Sequence, residues 1–199
     1  TGAATVGGWH GRLKADAARE FAARGLPTRK AEDWKYTDLG PLTAIAFRPA
    51  DFGDDADIRT LPASLGLGAP HGNRLVLVNG RYRPDLSFRD LGEAGVSLTP
   101  LSAGDENALA ARLTGRIAPA TDQPLVALNT AGMHDGLCLH IAAGAHLRRP
   151  IEIVSLGNAV RAPLAWHGRL LIVLEDGARA CVIEHQRDTL EAGPPACSR

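Results

Sequence analysis

Seven histidines and three cysteines are the imidazoles and thiols from which this 199-residue chain could build a metal or redox site. His140, His146 and Glu152 recur at intervals of six along GLCLHIAAGAHLRRPIEIVSL. His140 stands on one predicted strand, His146 beyond a Gly144-Ala145 corner, and Glu152 on the next strand. Two imidazoles and a carboxylate make a donor set for iron or zinc, but only if the corner folds them together. The simpler reading leaves all three as solvent-facing positions on alternating strands. Cys138 and Cys181 lie one structural repeat apart, where stacking could bring them close. Free cysteine more often packs as a small hydrophobe, and two thiolates without clustered partners do not make a four-cysteine iron-sulfur ligand set. Cys197, in the irregular tail, is the thiol expected to be reactive. Glu184 and His185 are adjacent on a strand and so point to opposite faces, which keeps them from serving one substrate as acid and base. Gly66-Leu67-Gly68 follows no strand and does not complete a dinucleotide fingerprint. No Gly-x-Ser-x-Gly elbow, phosphate loop or Cys-His pairing occurs. The chain is therefore read as a non-enzyme.

The elements that would position these residues are legible from periodicity. Leu137, Leu139 and Ile141 alternate with Cys138 and His140, and Ile151 and Ile153 flank Glu152, the two-residue period of strands. Leu170 to Leu174 and Cys181 to Ile183 repeat the plan around a Gly177-Ala178 corner. Asp176-Gly177 is the one dipeptide there suited to a hairpin. Strands separated by Gly-Ala corners suit stacked coils, so the expected fold class is mainly β, with the start of a parallel β-helix (solenoid) preceded by an N-terminal α-helical segment. Trp9, Leu13, Ala17 and Phe21 form one stripe at four-residue spacing, which predicts a helix over 8–24 that Gly25 and Pro27 terminate. An acidic connector follows through Asp51, Asp54, Asp55 and Asp57. RLVLVN, residues 74–79, and residues 95–98 read as strands. The expected divisions are 1–72, helical segment and connector; 73–186, β-rich core with short helices near 105–131; and 187–199, irregular tail.

Lys+Arg and Asp+Glu both total 22, so charge favours neither nucleic acid nor anionic membrane as a partner. The longest apolar runs are too short to span a bilayer, and residues 1–8 lack the basic and apolar regions of a signal peptide. With three cysteines and no CxxC, the expectation is a soluble, cytoplasmic protein in a reducing compartment.

The densest polar-aromatic cluster is GLPTRKAEDWKYTDL, residues 25–39. On physical grounds it is either a connector docked through Trp34 and Tyr36 or an exposed grip for a ligand or protein. Pro27, Arg29, Lys30, Glu32, Trp34, Lys35, Tyr36 and Thr37 match in register the N-terminal signature Pro-x-Arg-[Arg/Lys]-x-Glu-x-Trp-Lys-Tyr-Thr. In this the chain resembles the SufB/SufD family of the SUF iron-sulfur cluster assembly scaffold, on its SufD side. Gly80-Arg81-Tyr82-Arg83-Pro84 with Leu86-Ser87 resembles the family's VNGR(F/Y)-x-P-x-LS passage, and ALNTAGMHDGLCLHI its passage into the β-helix. The likeness covers residues 25–186. It implies further coils and a C-terminal helical region beyond this sequence, so a truncated chain is expected. It also implies a non-catalytic scaffold subunit that acts with a SufB-like subunit and a SufC-like ATPase, the ATPase docking region lying outside these residues. A homodimer is the other partner arrangement. No cofactor is expected on this chain alone; an iron-sulfur cluster belongs to the complete complex. The signature residues carry over as a family mark and candidate interface, with no catalytic or metal-ligating residue. The competing reading is a cupin-like metal-binding protein or enzyme using His140, His146 and Glu152, although cupin sites are announced by His-x-His followed closely by Glu, which is missing here.

Overall fold

The computed structural model describes residues 8–51, 53, 58–61, 63–89, 94–106, 108–121, 123–158 and 163–189. Asp54, Asp55, Asp57 and Cys197 lie outside them, as does the tail from residue 190. The amphipathic stripe forms helix α1, Trp9–Arg24, which stops where Gly25 donates its N–H to the Phe21 carbonyl at 2.7 Å. A short helix α2, Gly40–Thr43, and strand β1, Arg48–Pro49, follow. The apolar run becomes β2, Asn73–Val78. At Asn79-Gly80 both residues take positive φ, 48° and 77°, as a two-residue turn between antiparallel strands requires. The chain returns as β3, Arg81–Tyr82. Strand β4, Val96–Pro100, leads through a 3-10 segment, Leu101–Glu106, to helices α3, Ala108–Leu113, and α4, Pro124–Gly132. The remaining strands are β5, Asp135–Ile141, β6, Ile151–Gly157, β7, Leu164–Ala165, β8, Gly168–Leu174, and β9, Val182–Asp188.

These strands form sheets of order β3-β2-β6-β9, β4-β5-β8 and β1-β7. The two larger sheets face each other. Leu75 and Leu77 of β2 and Ile151 and Ile153 of β6 meet Leu137, Leu139 and Ile141 of β5 in one buried cluster. The outer face of the four-stranded sheet is covered by Ile58 and Leu65, which pack on Val76, Val78, Val154 and Leu156. The outer face of the three-stranded sheet carries Cys138 and Leu171 against Leu101, Ala110 and Met133, with Trp9 of α1 alongside. Helix α1 also lies along α4.

The expected parallel β-helix is not what forms. Both larger sheets are mixed, because β3 pairs antiparallel with β2 and β4 antiparallel with β5. Among the described residues no sheet closes into a coil. A two-residue period and a corner specify which side chains share a face, not which strand lies beside which. Asp176-Gly177 makes no hairpin either: β8 pairs parallel with β5, and β9 with β6. The corners themselves stack, with Gly144 N–H donating to the Asp176 carbonyl at 3.0 Å and Arg179 N–H to that of Ala145 at 2.8 Å.

Candidate functional site

The signature residues form a projecting hook. Pro27 follows the stop of α1, and Glu32–Trp34 make a 3-10 turn. The Arg29 guanidinium spans the hook to the Lys35 carbonyl at 3.3 Å, and the Lys35 ammonium lies 5.7 Å from the centre of the Tyr36 ring. Trp34 is half-buried, whereas Tyr36 is 91% exposed. Arg29, Lys30, Glu32 and Lys35 are exposed as well. Of the two aromatic residues Trp34 is the more sheltered, and Tyr36 leaves its ring open to solvent.

His140, His146 and Glu152 are not brought together. His140 Nε2 bonds Glu175 Oε1 at 2.8 Å, with Ser97 Oγ 3.4 Å from Nδ1. That bond, with the Ala143 N–H at 2.9 Å, holds the Glu175 carboxyl below its ordinary range. His146 Nε2 reaches the Gly177 carbonyl at 3.1 Å. Glu152 is buried and paired with Arg74, its cross-strand neighbour on β2, through Arg74 Nε at 2.6 Å. Among the described residues no three His, Cys, Asp or Glu side chains are arranged to hold a metal ion, and nothing in this geometry favours a cupin-like site. Cys138 is buried on the outer face of the three-stranded sheet, while Cys181 is exposed just before β9 in the other sheet. Glu184 accepts from Gln186 Nε2 at 2.6 Å.

Three histidines without a sequence motif do converge. Burial holds His10, His134 and His167 all below the ordinary imidazole value; Lys14 lowers His10 and His134 further, and His134 lowers His167. Asp135 acts in the opposite sense on His10 and His134. The His10 Nε2 atom is buried without a hydrogen-bond partner, so charging it carries a solvation cost. In the unfolded chain each imidazole protonates near its ordinary value of 6.5, before its folded counterpart does. The unfolded state therefore binds more protons between that value and the lowered folded ones, and stability falls as pH drops through this window. Thermal midpoints are expected to decrease from pH 7.5 to pH 5. The triple variant His10→Gln, His134→Gln, His167→Gln should flatten the slope, and an unchanged slope would assign it to other groups.

The second surface is where the two larger sheets end side by side. Strands β8 and β9 are edges, and Ile172, Leu174 and Ile183 are exposed there. Thr189 N–H donates to the Gly157 carbonyl and the Cys181 carbonyl accepts from Ile151, both at 2.9 Å. Strand alternation from these bonds turns the N–H groups of Glu184 and Gln186 away from β6. Among the described residues no strand pairs with β9 on that side. A sheet edge of this kind is a template for further β-structure. No helix among the described residues is long and apolar enough to cross a membrane.

Comparison with known proteins places this architecture. Residues 71–153, from the turn before β2 into β6, match the SufBD protein N-terminal region. An iron-sulfur cluster assembly SufBD family protein of Synechocystis is 34% identical over 164 residues, covering 80% of this chain and 35% of that protein. The iron-sulfur cluster assembly protein SufD of Escherichia coli K12 is 29% identical over 197 residues, covering 89% of this chain and 41% of its own length. The chain thus spans little more than a third of these relatives. Signature hook, matched core and relatives agree: the chain belongs to the SufB/SufD family.

Proposed function

We propose that this chain is part of a non-catalytic scaffold subunit of iron-sulfur cluster assembly, acting with a SufB-like subunit and a SufC-like ATPase. What supports the reading is the family match over residues 71–153 and two relatives named for iron-sulfur cluster assembly, with the β8 and β9 edges, set side by side, as the place where strand pairing would continue. Such edges recruit partner strands through main-chain hydrogen bonds and use exposed apolar side chains for selectivity. In this reading the cluster is cargo of the full assembly, and its ligands and the ATPase dock on parts of the longer relatives that these residues do not match.

The test is anaerobic affinity capture of the chain from cells co-expressing the SufB-like subunit, with Glu184→Pro/Gln186→Pro as the comparison. Proline at these positions removes N–H groups that face outward and spares the bonds to β6. Two lost hydrogen bonds at about 1 kcal/mol each correspond to roughly thirtyfold weaker association. The wild-type chain should recover the SufB-like subunit and the variant should not, with circular dichroism unchanged. Equal recovery by both would remove β9 from the interface. No SufB-like subunit with either would sink the partner assignment.

A further inference from the structure

Ser97, His140 and Glu175 form a line of hydrogen-bonding side chains across the three-stranded sheet. The antiparallel register of β4 and β5 sets Ser97 directly opposite His140. The Ala142 N–H donates to the Gly95 carbonyl at 2.8 Å, so by ladder alternation Ser97 and His140 also exchange main-chain bonds, and their side chains rise on one face. Glu175 follows β8 directly. Its N–H donates to the Ile141 carbonyl at 3.0 Å, which brings its carboxylate beside His140. Glu175 Oε1 is 2.8 Å from His140 Nε2, and Glu175 Oε2 accepts the Ala143 N–H at 2.9 Å. Ser97 Oγ lies 3.4 Å from the other ring nitrogen, Nδ1. Ser97 is exposed, and the His140 ring is partly so.

These partners decide which ring nitrogen holds the proton. The Glu175 carboxyl, kept below its ordinary range by the bonds from His140 and the Ala143 N–H, is ionised and only accepts. In the neutral imidazole Nε2 therefore carries the hydrogen, and Nδ1 presents its lone pair to the Ser97 hydroxyl. A serine beside a base that a third group orients is the arrangement that turns a hydroxyl into a nucleophile. The carboxylate acts through the ring, holding its tautomer and opposing the charge of the imidazolium that forms. Space for a reagent lies at the edge of the sheet, since among the described residues no strand pairs with β4 on the side away from β5. The alternation that turns the Ser97 main chain towards β5 turns the Leu98 N–H to that open side. The N–H of the residue after the nucleophile is a recurrent donor to the oxyanion of acyl transfer.

We propose that Ser97 is a site of covalent acylation, reactive towards acyl esters and thioesters with a good leaving group, with His140 as its base and Glu175 as the residue that positions His140. Ser97 Oγ attacks the acyl carbon while its proton passes to His140 Nδ1. The oxygen-to-acyl bond forms, the bond to the leaving alkoxide or thiolate breaks, and the leaving group takes the proton from Nδ1. The acyl group stays on Ser97, so the reaction marks the chain once and is independent of the scaffold reading. The test is exposure to p-nitrophenyl acetate followed by peptide mass mapping, with acetylation of the exposed Lys30 in the same sample as internal reference. Ser97 is expected to take up one acetyl group faster than every other serine or threonine. His140→Gln should slow this about a hundredfold, the lower end for a general base, and leave Lys30 unchanged. Glu175→Gln, at an exposed corner, should slow it about tenfold, the value of one charge-assisted bond. Because Glu175 acts through His140, the double variant should react no more slowly than His140→Gln alone, whereas a merely structural role would add its own loss. Ser97 acetylated no faster than the other hydroxyls overturns the proposal. So does a wild-type rate in His140→Gln with circular dichroism unchanged. Should that variant lose the fold, Glu175→Gln decides, and a wild-type rate there overturns the relay.

Discussion

Arg74→Ala is expected to destabilise the chain by about 3–5 kcal/mol, the usual cost of removing one member of a buried ion pair. The side chains of Arg74 and Glu152 are 7% and 5% exposed, with Arg74 Nη2 2.5 Å and Nε 2.6 Å from Glu152 Oε2. The guanidinium also donates to the Gly68 and Leu67 carbonyls, each at 2.9 Å. Without it, a buried carboxylate keeps only a long bond from the His71 N–H, at 3.5 Å, and two loop carbonyls lose their donors. That loss approaches the whole stability of a domain with a total of about 5–15 kcal/mol. Urea unfolding should show it as a lower midpoint. Limited proteolysis should cut first between residues 58 and 70, the stretch that Arg74 ties down over Val76 and Val154. Arg74→Met/Glu152→Leu should recover most of the loss, since removing both charges removes the uncompensated one. A cost under about 1 kcal/mol for Arg74→Ala would mean that solvent screens the pair.

Gly136→Ala is the second large effect, expected near 3 kcal/mol, at the upper end for overpacking. Gly136 of β5 stands opposite Arg169 of β8. A Cβ there would overlap the Arg169 carbonyl oxygen and lie 2.9 Å from Leu101 Cδ1. A ladder carbonyl cannot step aside as a side chain can. Strand β8 is also tied to α4, because Arg169 donates to Asn129 Oδ1 from Nη2 at 2.8 Å and to Thr130 Oγ1 at 2.6 Å. On the other side Asp135 accepts the Tyr82 and Ser102 N–H groups, both at 3.1 Å. The methyl group must therefore separate β5 from β8 or displace Leu101 from its buried cluster. A urea midpoint within about 0.5 kcal/mol of wild type, the range of neutral substitutions, would show that the sheet yields at this point.

Local features are legible in the order of the residues. The four-residue stripe from Trp9 to Phe21 and the stop at Gly25 specify α1, and alternation at Leu137, Leu139, Ile141, Ile151 and Ile153 identifies the side chains that fill the space between the sheets. The hook string from Pro27 to Thr37 points to the right family, since it is specific as a word whatever its fold. Alternation cannot say that β3 and β4 run antiparallel at the sheet edges, which is why a parallel β-helix is the wrong expectation. Nor can it say that Glu152 faces Arg74, 78 positions earlier, rather than two histidines.

The sequence by itself determined helix α1, the long strands β2, β5, β6 and β8, their buried faces and the family, because each is written in spacings of a few residues or in one contiguous word. Tertiary structure alone decided strand neighbours, the Arg74–Glu152 pair and the convergence of His10, His134 and His167. Those depend on contacts between residues tens to more than a hundred positions apart, selected by the packing of whole sheets and helices, and local periodicity carries no term for them.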